Sequence, residues 1–400
     1  MSKKKGENKY NLLELISLMI ITALATATIT YNVSLFSKTT KKNIVNRADL
    51  SELIETYDEI NEEFYTKINK KELIEAGIKG MLDYINDPYT MYMDKDEADN
   101  FNEELDGQFV GLGVEIMRQN NDVVIYRVLK KSPAERLGLK SKDIIIKVNN
   151  KKTEDMTLKE LSKEIKGEVG TKVKIVIKRD GKEKEYEFAR DTIIIESVKT
   201  EIINKNNKKI GYMQISVFAN NTFEQFEEEY KKLKKEKIDG LVIDLRSNTG
   251  GYLETATNLL EKYLKKGSVM YQFEYKNGKK EKVYSKKDAD INIKTVLVVN
   301  GGSASASEIF AAGLSENLNV PIVGTKTYGK GKVQVTKKLS SGALIKYTIK
   351  NWLTPKGNPI DQKGITPDYL VPLTEKYIKN PIKENDDQLQ KALDVITKNS

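Results

Sequence analysis

The sequence predicts an α/β core joined to a smaller β-rich domain and preceded by helices. Three observations carry this reading. From about residue 208, short apolar runs alternate with amphipathic helical stretches, the pattern of helices packed on a largely parallel sheet. Between 97 and 188, short β-like runs separated by turn signals contain one helical pattern only. Between 49 and 85, apolar residues recur at helical spacing. A chain of 400 residues is long enough for these to be separate domains.

The first ten residues form a basic tail holding Lys3, Lys4, Lys5 and Lys9. The run Leu12 to Phe36 then carries a single charge, Glu14. About 20 apolar residues cross a bilayer, so residues 11–36 are expected to form a single-pass transmembrane signal anchor. The competing reading is a signal peptide cut near Ala25-Thr26-Ala27, which would release a secreted protein. Lys38, Lys41, Lys42 and Arg47 follow the run, so the charge bias sets no orientation.

Residues 37–96 read as a helical region. Leu50, Leu53, Ile54, Tyr57 and Ile60 fall on one face, as do Leu73, Ile74, Ile78, Met81, Leu82 and Ile85. The turn DPYT at 87–90 closes it. The β-rich domain over 97–188 includes FVGLGVEIM, DVVIYRVL, DIIIKVN, KVKIVIKR and EKEYEFAR, the helix TLKELSKEI, and a hairpin signal at Asp180-Gly181. The core over 189–375 alternates KIGYMQISVF, a helix from Thr222, GLVIDL, a helix from Gly251, a hairpin turning at Asn277-Gly278, TVLVVN, a helix through SASEIFAAGL, and VPIVG. Residues 376–400 end the chain in a helix. The terminal helices, 49–85 and 383–398, offer faces through which two chains could pair as a homodimer.

Composition narrows the chemistry. The chain has no Cys, hence no disulfide, no thiolate nucleophile and no cysteine zinc site. It has no His, hence no histidine triad and no histidine-ligated metal. The net charge of +9 is spread along the chain and favours anionic surfaces such as membranes or wall polymers. No concentrated basic stripe with interleaved aromatics is present, so nucleic acid is not the expected partner.

Two tight turns follow core strands: RSNTGG at 246–251 and NGGSASASE at 300–308. Ligands in such folds sit at the carboxyl ends of strands, and backbone N–H groups at a helix start suit a developing oxyanion. A serine on a strand-to-helix turn is a candidate nucleophile, but it needs a base. Plainer readings exist: Gly-Gly satisfies a positive φ, and Ser305 with Glu308 matches a capping box. Without His, the base is a lysine or a carboxylate. A lysine serves only when neutral, so its pKa of about 10.4 must fall by roughly 3 units, a cost on the order of 4 kcal/mol; burial can do this. In TYGKGKVQV at 327–335, Lys330 lies between Gly329 and Gly331, which permit close backbone approach. In an extended segment Lys330, Lys332 and Gln334 share a face, so spacing leaves Lys330 and Lys332 both open.

Six motifs, in order, resemble the C-terminal processing peptidases (carboxyl-terminal or tail-specific proteases) of bacteria and plastids. They are FVGLGVEI at 109–116, SPAERLGLKSKDIIIKVN at 132–149, DLRSNTGG at 244–251, VNGGSASASEIFAAGL at 299–314, GKGKVQ at 329–334 and WLTPKGNPIDQKGITPDYLV at 352–371. The resemblance covers about residues 45–398. It implies a serine protease core of ClpP/crotonase-like strand-helix layers over 189–375, with an inserted PDZ domain over 97–188. It further implies Ser305 as nucleophile, Lys330 as base and Gln334 as the residue orienting the lysine amine. Lys330 stands 25 positions after Ser305 (330 − 305), the family's spacing, whereas Lys332 would stand at 27. The implied oxyanion hole is the N–H of Ala306 with that of Gly250 or Gly251. Thr249 replaces the proline often found before those glycines. Gly111, Leu112 and Gly113 are implied to be the PDZ loop that binds a peptide's terminal carboxylate, the peptide adding as a strand. The implied substrates are exported or envelope proteins with free, apolar C-terminal tails, cut outside the cytoplasm without metal or cofactor. The alternative is a non-catalytic PDZ scaffold that only binds C-termini.

Overall fold

The computed structural model describes residues 48–398. The basic tail and the expected membrane segment at 11–36 lie outside the described residues. Among the described residues, no helix is long and apolar enough to cross a membrane. The chain divides into two units, one ending at Met81 and one beginning at Leu82.

The helical expectation for 49–85 is met by helices Ser51–Glu63 and Lys70–Ile85. Neither buries a side chain, and Leu53, Ile54, Ile74 and Met81 remain exposed.

The centre of the second unit is a six-stranded sheet in the order Val198–Lys205, Lys208–Ile215, Gly240–Asp244, Thr295–Val299, Ile322–Gly324 and Tyr369–Leu370. The first pair is an antiparallel hairpin turning at Asn206-Asn207, both at positive φ. Every other pairing is parallel. Strands covered on both faces need uninterrupted apolar runs. GLVID and TVLVV supply them, and all ten of these residues are buried. Their side chains alternate between two cores. Leu241, Ile243, Leu297 and Val299 join Phe226, Leu259 and Phe310 from the helices Thr222–Lys235, Leu253–Glu261 and Ala306–Leu318. Val242, Val296 and Val298 face Leu389, Ala392, Leu393 and Ile396 of helix Asp387–Thr397.

That last contact corrects two expectations. The C-terminal helix begins at Asp387, after a separate short helix Glu375–Lys379. Its apolar face is covered by the chain's own sheet, so it is not free to pair two chains.

A second sheet runs Met91–Met93, Leu344–Leu353, Val269–Glu274 and Lys280–Tyr284, with Lys332–Lys338 also paired to Leu344–Leu353. The β-rich domain has strands Val114–Gln119, Asp122–Val128, Ile144–Val148, Lys172–Arg179 and Lys182–Ala189, with helix Leu158–Ile165. Its Asp180-Gly181 turn has both residues at positive φ, as a tight hairpin requires. The boundary expected at 96/97 falls inside a helix, Lys95–Asp106, opened by a capping box between Asp94 and Glu97 and closed by Gly107 at φ 69°. The strands of the small domain begin only after it.

Leu393 is 1% exposed between the C-terminal helix and the sheet. Leu393→Ala should lower the unfolding free energy by about 3 kcal/mol, read from urea denaturation of the parent and variant.

Candidate active site

The three serines of SASAS are not equivalent. Ser303 Oγ donates to the Leu245 carbonyl (2.8 Å), and Ser307 Oγ to the Asn248 carbonyl (2.9 Å). Both side chains are buried and stitch their turn onto the RSNTGG turn. Ser305 begins the helix Ala306–Leu318 at φ 54°, ψ −115°, a conformation L-residues rarely adopt. It is held there by Ala304 N–H on the Asn248 carbonyl (3.0 Å) and by its own N–H on Glu308 Oε2 (2.8 Å). Its hydroxyl donates to no acceptor among the described residues. The capping box is present: Glu308 takes the Ser305 N–H, and the Glu308 N–H meets the Ser305 side chain while also bonding the Ser305 carbonyl (2.9 Å).

The two glycines separate. Gly250, at φ 108°, packs so tightly that a Cβ would lie 2.9 Å from Ser305 Cβ and 3.1 Å from the Ala306 nitrogen. Its N–H is taken by Asn248 Oδ1 (2.9 Å). Gly251, at φ 134°, has its N–H without an acceptor among the described residues, as does Ala306.

Lys330 is carried by the arm leading into strand Lys332–Lys338. The flanking glycines do what the sequence suggested. A Cβ on Gly331 would meet the Asp361 nitrogen at 2.3 Å, and one on Gly329 would meet the Gly364 nitrogen at 2.8 Å. Trp352 Nε1 donates to the Lys330 carbonyl (2.7 Å). The amine has no ion pair among the described residues and lies 5.2 Å from the Tyr89 ring centroid. Burial first, and the Lys346 ammonium second, push its pKa below the usual lysine value, outweighing Glu308 and Asp87. Lys332, the rival, pairs with Asp361 Oδ2 at 3.3 Å.

Sequence reasoning read Glu308 only as a cap. Its buried carboxylate is the junction of the site. Oε1 accepts from Thr327 Oγ1 (2.6 Å) and Gly329 N–H (2.7 Å); Oε2 accepts from Ser305 N–H and Lys330 N–H (2.9 Å). It therefore binds the serine turn and the lysine arm to one group. No hydrogen bond joins Ser305 Oγ to the Lys330 amine. Gln334 Nε2 instead donates to Thr348 Oγ1 at 3.4 Å. The structure thus joins the serine turn and the lysine arm through Glu308, with no bond between the two side chains.

Also missed was the support behind the RSNTGG turn. Asp244, at the end of its strand, accepts from Tyr212 OH (2.7 Å) and Arg246, which also reaches Asp386 Oδ1 (2.9 Å) at the cap of the C-terminal helix.

In the β-rich domain, Gly111 ends strand Gln108–Gly111, and Leu112 and Gly113 follow. The N–H groups of Leu112 and Gly113 have no acceptor among the described residues. They border a groove of about 200 Å³ floored by Val114, Ile116 and Ile165, with Lys166 at its edge.

Comparison with known proteins gives the family. Residues 209–371 match the model of peptidase family S41, 124–179 a PDZ domain, and 19–97 the N-terminal domain of the activating protease CtpB. The chain is 36% identical over 377 residues to the carboxy-terminal processing protease CtpA of Bacillus subtilis, across 94% of this chain and 80% of that one. It is 35% identical over 371 residues to a CtpA-like serine protease of Staphylococcus aureus, across 91% and 73%. A solved structure assigned to the S41 proteases, from Bacteroides fragilis, shares the fold at a TM-score of 0.52 and 18% identity, over 84% of this chain and 91% of that one. The molecule is a serine-type peptidase with a PDZ domain. The chain belongs to peptidase family S41, the carboxy-terminal processing proteases.

Glu308→Gln replaces an acceptor oxygen with an NH2 group facing donors. It should lower stability by about 2 kcal/mol and cleavage by about 10²-fold, checked by urea unfolding and by a protein-cleavage assay on one preparation.

Proposed function

We propose that the chain cuts exported or envelope proteins by acyl transfer through a Ser305/Lys330 dyad, choosing them by their C-terminal tails. The observation that carries this is the contrast within SASAS: Ser303 and Ser307 donate their hydroxyls to backbone carbonyls, whereas Ser305 donates to no described residue, on a strained turn that shares Glu308 with the arm of a half-buried lysine. Neutral Lys330 takes the Ser305 proton as Oγ bonds to the peptide carbonyl carbon. The N–H groups of Ala306 and Gly251 receive the oxyanion; Gly250 gives the shape of the turn, since its own N–H is committed. Collapse breaks the C–N bond, and the Lys330 ammonium protonates the leaving amine. Water then gives a proton to Lys330 and its oxygen to the acyl carbon; Ser305 leaves and regains its proton. Gln334 orients the amine. Alignment of the amine with Oγ accompanies substrate binding.

The tail's carboxylate is received by the N–H groups following Gly111, with the last apolar side chains in the groove beside Ile116 and Ile165. Leu12 to Phe36 anchors the chain in the cell membrane with the protease body outside the cytoplasm, a reading supported by the length and low charge of that run.

The test uses the full chain and an unfolded protein ending in an apolar tail, followed by mass spectrometry from pH 6 to 10. The parent should cut it; Ser305→Ala and Lys330→Ala should each lose at least about 10³-fold. Because the base works deprotonated, the rate should rise with pH and level off below the range of free lysine, about 10.4. Full activity in Lys330→Ala would overturn the dyad.

A further inference from the structure

The DPYT turn at 87–90 precedes the PDZ domain in sequence, yet it sits in the second sheet beside Lys330. The strand Met91–Met93 that follows it pairs with Leu344–Lys346. Asp87 Oδ1 accepts from the Tyr89 N–H (3.3 Å). Asp87 Oδ2 accepts from Thr90 Oγ1 (2.7 Å) and from Thr348 Oγ1 (2.6 Å). Thr348 N–H returns to Thr90 Oγ1 (3.3 Å).

We propose that this turn is a working part of the active site: Asp87, through Thr348, sets which end of the Gln334 amide faces Lys330, and the Tyr89 ring closes the lysine amine from water. The inference rests on the Ser305/Lys330/Gln334 reading above.

Proton accounting gives the first half. An ionised carboxylate only accepts. Burial would raise the Asp87 pKa, but hydrogen bonds from Thr348, Thr90 and the Tyr89 N–H, with Lys332 nearby, hold it below the usual value. The one hydroxyl hydrogen of Thr348 is therefore committed to Asp87. Toward Gln334, Thr348 Oγ1 can only accept, so Gln334 must present its NH2 group. That leaves Gln334 Oε1 as the acceptor for the lysine amine, the polarity an orienting glutamine needs.

Competing effects decide the second half. The Tyr89 ring attracts an ammonium, which would raise the Lys330 pKa, but 5.2 Å is near the outer limit of that attraction. Burial moves a lysine by up to roughly 3–5 units in the other direction, so removing the ring should let water stabilise the ammonium. The charged and titratable groups around the pair are Lys346, Glu308 and Asp87 for the lysine, and Tyr328, Asp361 and Glu308 for Tyr89. Burial first, then those neighbours, pushes the Tyr89 hydroxyl up to about 12, so it stays neutral across the working range.

The experiment measures kcat and KM from pH 6 to 10.5 on the full chain, with thermal unfolding of each variant. Thr348→Val should lower kcat by about 10²-fold with KM nearly unchanged, and Thr348→Ser, which keeps the hydroxyl, should recover most of it. Asp87→Asn should match Thr348→Val. Tyr89→Ala should move the acidic limb of kcat/KM up by about one pH unit or more, with activity recovered near pH 10; Tyr89→Phe should restore the limb. Lys330→Ala is the control. If it still cuts, the dyad reading fails. If it is inactive while Thr348→Val keeps the parent's kcat and Tyr89→Ala keeps the parent's limb, the dyad stands and this inference falls. A shift of the Tyr89→Ala limb to lower pH also overturns the shielding. Should Asp87→Asn or Tyr89→Ala not fold, Thr348→Val against Thr348→Ser, and Tyr89→Leu against Tyr89→Phe, decide by the same readouts.

Discussion

Four donors on one buried carboxylate hold this active site together. Glu308 is fully buried with no cation paired to it among the described residues, a costly position for a charge. What offsets the cost is hydrogen bonding to both oxygens and the position of Glu308 in the first turn of the helix, where the peptide dipoles favour negative charge. Serine turn and lysine arm are 19 to 22 residues from Glu308 on one side and 3 on the other, and they meet only here. The strain at Ser305 persists because these bonds over-determine it.

The same arm shows how the environment assigns chemistry to identical side chains. Lys330 and Lys332 are two residues apart. Lys332 reaches a carboxylate at 3.3 Å; Lys330 is half-buried with no ion pair among the described residues, and burial first, then Lys346 as a like charge, lowers its pKa. Glu308 and Asp87 pull the other way but do not prevail. A lysine is neutralised only where burial outweighs such carboxylates, and here Gly329 and Gly331 let the arm press against Asp361 and Gly364.

Much of this was legible in the sequence because its signals are local. Continuous apolar runs marked GLVID and TVLVV as parallel strands, and Gly329 and Gly331 marked a close backbone approach. Strand Leu344–Leu353 escaped because it shows no clean alternation: its middle residues are half-buried and only its ends are fully covered. The Asp87–Thr348 bond spans 261 positions, so no window reveals it. The helix Lys95–Asp106 buries only Ala98, so its periodicity is faint, but the Asp94–Glu97 capping box was there to be read and would have moved the domain boundary. The capping pattern at Ser305 was read, yet its meaning differs: the acid caps the helix and also gathers the lysine arm, which no local pattern distinguishes.

Electrostatics in this molecule sort by burial, and the sorting follows what each region must do. Along helix Leu158–Ile165 of the PDZ domain and just past it, Lys159, Lys163 and Lys166 face Asp94, Asp96, Asn100 and Glu103 on or beside helix Lys95–Asp106. Several of these pairs are exposed and long, 3.5 to 3.7 Å, and pairs of that kind contribute about 0–1 kcal/mol each and weaken with salt. Lys166, which also lines the groove beside Gly111, is the better buried member. Lys159 and Lys163 thus contribute weak, screened pairs, each replaceable by water. At Glu308 the carboxylate is fully buried, and losing one of its four donors leaves a buried group unsatisfied. The serine turn and the lysine arm are held by the second kind of interaction, and the exposed faces of these two helices by the first.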